Sequence, residues 1–233
     1  MKKAIHIIML LCFGVLANAA DLPVRASHLF ILSGQSNMAH LDPDISFTPT
    51  LKKAFPNDDI TVVKDAQGGQ LIERWYREPP VPGNIGNQAV ATNDLYQRLM
   101  DKVKLGATAN TYTTVTFVWM QGESNAKKRQ ADLYETKLRG LIAQLKEDMG
   151  RDDIDVVIGR ISDAGLRRKR QSSDWELIRN VQVKVADADS SHRAWVDTDD
   201  LNGDTDALHY TDEGYKILGE RFALAAIKLI NNK

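Results

Sequence analysis

The chain has 233 residues, 30 Lys and Arg against 31 Asp and Glu, a formal net charge of −1 and a single cysteine, Cys12. That balance leaves no basic footprint for a nucleic-acid partner. No apolar run reaches the about 20 residues that a membrane-spanning helix needs.

The first residues are expected to form a leader. Lys2 and Lys3 precede the apolar run "AIHIIMLLCFGVLA", and Ala17-Asn18-Ala19 fits the small-x-small cleavage rule. Residues 1–19 therefore read as a secretory signal peptide, which implies a periplasmic or extracellular protein. Leu11, before Cys12, is not the small residue that a lipid-modified cysteine would follow. Cleavage leaves a mature chain without cysteine, so disulfide and thiolate chemistry are both excluded. About 210 residues remain, enough for one domain with a substantial core, and residues 20–233 are expected to form it.

Strand and helix patterns then alternate. "HLFILSG" (28–34) is a continuous apolar run, the mark of a strand buried on both faces. "ITVVKDA" (60–66), "TYTTVTFVWMQG" (111–122), "IDVVIGRIS" (154–162) and "HRAWVDTDDL" (192–201) read the same way. Between them, Leu95, Tyr96, Leu99, Met100 and Val103 follow helical spacing. So do Tyr134, Leu138, Leu141, Ile142, Leu145 and Met149, then Trp175, Ile178, Val181 and Val185. The last helix carries Tyr215, Leu218, Phe222, Ala225 and Leu229, with Asp212 and Glu213 in its first turn, where carboxylates suit the helix dipole. Alternating units of this kind predict an α/β fold, a parallel sheet with helices on both faces. Such sheets bind ligands beyond the C-terminal ends of their strands.

The segments just beyond those strand ends are therefore the candidates for chemistry. Gln35-Ser36-Asn37 comes after the first strand, "QGGQLIERW" (67–75) after the second, "QGESN" (121–125) after the third, "DAGLRRKR" (163–170) after the fourth and "DTDALHYTDEG" (204–214) after the fifth. The Pro-rich stretch "REPPVPGNIGN" (77–87) is expected over the same edge. A serine nucleophile needs a base, a group that orients the base, and donors for an oxyanion. Of the histidines, His28 and His192 start strands and belong at the opposite edge, while His40 lies four residues beyond Ser36. His209 has a carboxylate three residues upstream, Asp206, and Asp-x-x-His in a turn can fold the carboxylate onto the imidazole. Gly68-Gly69 allows a backbone N–H to face the cleft, and the amide of Gln121, at the end of the third strand, can reach the same point.

"GQSNM", "GGQLIERW", "WMQGESN" and a late "DALH", in that order, resemble the SGNH-type hydrolases, nearest to the sialate O-acetylesterase and acetylxylan esterase-like carbohydrate acetylesterases. The resemblance spans essentially the whole mature chain. It implies a three-layer α/β/α sandwich on a flavodoxin-like five-stranded parallel sheet. It also implies a serine esterase that removes O-acetyl groups from a carbohydrate without cofactor or metal. Carried over by position, Ser36 matches the nucleophile, His209 the base and Asp206 its partner. Ser36 and Gly69 match backbone oxyanion donors, and Gln121 stands where many of the wider superfamily have Asn. Two positions depart: relatives often have Gly where His40 stands and Thr where Gln70 stands, so the acyl or sugar specificity of well-known members does not transfer.

Substrate contacts are expected from Gln35 and Asn37 beside Ser36, from Arg74 and Trp75 after the glycine turn, and from Glu123 and Arg167. Trp75 would stack on a sugar ring, unless it packs beneath its loop. Glu123 would organise the Gln121 loop rather than transfer protons. Arg74 and the run Arg167–Arg170 suggest an anionic glycan, because arginine pairs with carboxylates and sulfates. Asp197, Asp199, Asp200, Asp204 and Asp206 lack the ligand spacing of a calcium loop. A non-catalytic glycan-binding protein on an esterase fold is the alternative. A lipase or thioesterase would need an apolar acyl groove, which these polar loops do not suggest.

Overall fold

The computed structural model describes residues 25–78, 92–106, 112–166, 172–203 and 207–233. The expected signal peptide, most of the Pro-rich stretch, Arg167 with the rest of its basic run, and Asp206 lie outside the described residues.

Five parallel strands form one sheet: β1 (Ser27–Gly34), β2 (Asp59–Ala66), β3 (Thr114–Met120), β4 (Asp155–Gly159) and β5 (Arg193–Val196). Their order is β2-β1-β3-β4-β5. The direction of winding reverses between β1 and β3, and there the carboxyl ends of adjacent strands open a crevice. Every residue of β3 and β4 is buried, as continuous apolar runs require.

The helices are α1 (Ser36–His40), α2 (Phe47–Ala54), α3 (Asp94–Gly106), α4 (Glu123–Lys127), α5 (Tyr134–Met149), α6 (Ser172–Asp187) and α7 (Asp212–Asn231). Right-handed crossovers put α3, α5 and α6 on one face of the sheet and α2 with α7 on the other. The long helices bury most of the stripes that their spacing predicts, such as Leu95, Tyr96, Leu99, Met100 and Val103 of α3, while Met149 of α5 and Tyr215 and Ala225 of α7 are only partly buried. The result is the α/β three-layer, flavodoxin-like arrangement expected from the sequence.

The corner after β1 is fixed by contact. Gly34 has φ +145°, and a Cβ there would lie 1.9 Å from the Met120 carbonyl oxygen. Gln35 N–H donates to that same carbonyl at 2.9 Å, and Gln67 N–H donates to Gly34 O at 3.0 Å. The ends of β1, β2 and β3 are thus laced together, and Ser36 emerges as the first residue of α1.

Candidate active site

Ser36 and His209 are 173 residues apart in sequence, yet Ser36 Oγ lies 3.0 Å from His209 Nε2. Both ends of this contact are held by local structure. On the serine side, Lys64 of β2 donates to the carbonyls of Ala39, at 3.0 Å, and Leu41, so a cation closes the C-terminal end of α1. On the histidine side, Thr211 caps α7 by accepting from Gly214 N–H at 3.0 Å, which starts the helix immediately after His209. Tyr210 OH donates to Thr198 Oγ1 at 2.9 Å and anchors the same stretch to the segment after β5.

The environment favours a neutral His209. Burial, then the neighbouring His40, then Lys127 lower its pKa from the ordinary histidine value. A neutral imidazole whose Nε2 faces a serine hydroxyl can take the hydroxyl proton.

The glycine turn lies beside the serine. A Cβ on Gly68 would sit 3.4 Å from Ser36 Cβ. Gly69 is left-handed, with φ +73°, and open space surrounds its Cβ position. Ser36 N–H belongs to the first turn of α1 and so has no partner within its helix.

Gln121 is arranged differently from the expectation. Its side chain is fully buried. Nε2 donates to Asn125 Oδ1 at 2.7 Å, to Gln70 O at 3.1 Å and, more weakly, to Gln35 Oε1 at 3.4 Å. The amide therefore braces the glycine turn against α4, and an oxyanion would have to compete with these acceptors. Its own backbone carbonyl accepts from Tyr134 OH at 2.6 Å and Gln182 Nε2 at 2.8 Å.

Several expected substrate contacts are corrected by burial or pairing. Trp75 is fully buried, edge-on to Trp119 with centroids 5.3 Å apart, so it is core rather than a sugar platform. Gln35, Asn37 and Glu123 are all buried. Gln35 Oε1 accepts from Ser124 N–H at 3.2 Å, and Asn37 Nδ2 donates to Glu123 Oε1 at 2.8 Å. Arg74 forms a two-pronged pair with Asp94 and also donates to Gln70 Oε1 at 2.7 Å. The acidic residues after β5 meet arginines: Asp197 and Asp199 meet Arg160, Asp199 meets Arg179, and Asp200 meets Arg221.

His40 proves more central than its spacing indicated. Its ring lies 5.0 Å from that of His209 and 5.7 Å from that of Tyr215. It also borders a cleft of about 240 Å³ shared with Asp42, Ile45, Asp212, Tyr215 and Lys216. The position four beyond Ser36 was a clue, because α1 brings residues at that spacing onto one face.

Over residues 39–228 the chain matches the family described as carbohydrate esterase, sialic acid-specific acetylesterase. The chain belongs to this family. It is a carboxylic ester hydrolase of the carbohydrate acetylesterase type. The match begins just past Ser36, so the roles of Ser36 and His209 rest on their geometry. Solved structures repeat this esterase's fold. A protein from Arabidopsis thaliana is 20% identical with a TM-score of 0.68, over 86% of this chain and 98% of that one. A carbohydrate acetylesterase from Xanthomonas citri is 18% identical with a TM-score of 0.63, over 89% of this chain and 57% of that one. The structure called NanS is 12% identical with a TM-score of 0.64, over 89% of this chain and 98% of that one. No curated protein sequence matches this esterase.

Proposed function

We propose that the protein is an exported serine O-acetylesterase that deacetylates a carbohydrate through an acyl-enzyme on Ser36. The reading rests on the 3.0 Å approach of Ser36 Oγ to His209 Nε2 at the crevice between β1 and β3. Ser36 Oγ attacks the acetyl carbonyl while His209 Nε2 takes its proton. The N–H groups of Ser36 and Gly69 receive the tetrahedral oxyanion, with Gln121 bracing the turn that carries Gly69. The intermediate expels the sugar oxygen, which takes the proton from His209. Water, deprotonated by His209, then attacks the acetyl-serine and releases acetate. Asp206, three residues before His209, is assigned to orient the imidazole. The reaction draws on no cofactor.

Export follows from the leader, and the substrate class from the family. An anionic glycan remains the proposal for the sugar, supported now by the basic run at 167–170 and no longer by Arg74. The test is hydrolysis of p-nitrophenyl acetate by native protein and by Ser36→Ala. Loss of roughly 10⁴–10⁶ in turnover in a folded variant supports the reading. A variant retaining a tenth of native activity refutes Ser36 as nucleophile. An inactive native protein favours the glycan-binding alternative. Acetate release across acetylated xylan, pectin, algal polysaccharide and O-acetylated sialic acid then identifies the sugar.

A further inference from the structure

Asn37 follows the proposed nucleophile, is only 1% exposed, and makes three side-chain hydrogen bonds that the reaction scheme does not use. Its Nδ2 donates to Glu123 Oε1 at 2.8 Å and to the Leu208 carbonyl at 3.2 Å. Its Oδ1 accepts from Tyr215 OH at 3.0 Å. Leu208 immediately precedes His209, and Tyr215 belongs to the first turns of the helix beyond it. One amide therefore spans from the serine turn to both sides of the histidine.

We propose that Asn37 is a positioning residue, a clamp that sets the Ser36–His209 distance, and that Glu123 sets the orientation of its amide. This rests on the esterase reading and deepens it.

The segment around His209 has few other ties. Among the described residues, Tyr210 OH reaches Thr198 at 2.9 Å and Thr211 N–H reaches Leu201 O at 3.3 Å. Both lead to the segment after β5. Of these three hydrogen-bonding ties, Asn37 alone belongs to α1, the element that carries the nucleophile, where His40 adds only ring contacts to His209 and Tyr215. A shift of about 1 Å between reacting groups can cost about 10²-fold in rate, so a tie of this kind has kinetic weight.

Glu123 supplies what the clamp lacks by itself. An asparagine amide can present either end, and its two ends have opposite hydrogen-bonding character. Glu123 Oε1 and the Leu208 carbonyl both accept, so together they select Nδ2 for their side. Oδ1 is then left facing Tyr215 OH, and the second Nδ2 proton faces Leu208. Glu123 is itself buried, and its second oxygen has no partner among the described residues. An unpartnered buried oxygen costs stability. Burial pushes the Glu123 carboxyl upward, with its own backbone N–H and then the Asn37 bond acting against it.

The test uses four variants of the full-length protein, each checked for folding by circular dichroism and thermal melting, with p-nitrophenyl acetate as substrate. Asn37→Ala is expected to lower kcat about 10–100-fold with KM near native, because the reacting groups lose register while the binding surface stays. Glu123→Leu is expected to reproduce a large part of that loss. Glu123→Gln is expected to stay within about threefold of native kcat, because its amide oxygen still accepts from Asn37. The acid limb of its pH profile should not move. Tyr215→Phe removes a half-buried hydroxyl and should fold in any case. It should lower kcat several-fold at constant KM. Native kcat in Tyr215→Phe, or in a folded Asn37→Ala, overturns the clamp. So does a Glu123→Gln variant as slow as Glu123→Leu, which would mean that the carboxylate charge matters rather than the orientation. Ser36→Ala run beside them separates the two levels: if it stays active, the esterase reading fails, whereas an inactive Ser36→Ala beside a native-like Asn37→Ala defeats the clamp alone.

Discussion

The rings of His40 and His209 lie 5.0 Å apart, centroid to centroid, inclined by 33°. His40 thus covers part of the imidazole proposed as general base and adds a like-charged neighbour to it. Both effects disfavour the imidazolium, and His209 is accordingly shifted down, by burial first and by His40 second.

His40→Ala should therefore raise the His209 pKa back toward the ordinary value. A general base must be neutral, so the acid limb of kcat/KM should move to higher pH and the variant should lose activity first under mildly acidic conditions. The pH–rate profile of the two proteins checks this. An unmoved limb, or one moved to lower pH, would show that His40 does not tune the base.

Much of the scaffold was readable because burial on both faces writes itself into the sequence. The run 28–34 became Ser27–Gly34, and 60–66 became Asp59–Ala66. Strand ends were harder. The fifth run stops at Val196, because beyond it Thr198 turns to donate to the Arg160 carbonyl and the aspartates pair with arginines on other elements. The short helices α1, α2 and α4 left no mark, since a stretch of one or two turns cannot display a 3.6-residue period. α1 is held instead by Lys64, an element away. The serine and histidine could be chosen from sequence by the chemistry that they need. Trp75 and Glu123 could not be placed, because their burial depends on Trp119 and Asn37, contacts that no local pattern encodes.

The glycine before Gln35 is the least replaceable part of the corner. In Gly34→Ala the new Cβ would lie 1.9 Å from Met120 O, at a φ of +145° that side chains rarely adopt. The variant should lose more than about 3 kcal/mol of stability, at the severe end for single substitutions. Gly69→Ala meets no atom within 4 Å and faces only its left-handed backbone, so about 1–2 kcal/mol is expected. Urea unfolding of both variants makes the comparison. Equal losses would mean that the approach of β1 to β3 does not constrain the corner.

Arg74 is committed to Asp94 and Gln70, which bears on the sugar. Both partners of the ion pair are substantially exposed, and such pairs contribute at most about 1 kcal/mol. The cleft beside His40 offers no compensation: Asp42 and Asp212 line it, and Lys216 leans toward Glu213. Arg74→Ala should leave the ratio of kcat/KM between an anionic and a neutral acetylated glycan unchanged. A selective, salt-sensitive loss on the anionic glycan would show that Arg74 exchanges Asp94 for substrate.

Gln121 separates two roles that leave different signatures. A donor to the oxyanion acts only in the transition state, and its removal costs roughly 10²–10³ in kcat without loss of stability. A buried brace acts in the ground state. Gln121→Ala would leave a cavity, and it would strip a donor from the buried Asn125 Oδ1 and from the part-buried Gln70 carbonyl. Asn125 Oδ1 keeps the Ile72 N–H at 3.1 Å, so the loss there is partial. Cavity and lost hydrogen bonds together should cost about 2–4 kcal/mol. The melting temperature should fall clearly, and kcat should fall with it as the Gly69 turn loosens. Gln121→Met fills the volume and removes the amide, so it should recover part of the stability but not the turn. Measuring melting and kcat on both variants decides the matter. A kcat loss of 10²-fold or more at native melting temperature would return Gln121 to the oxyanion hole.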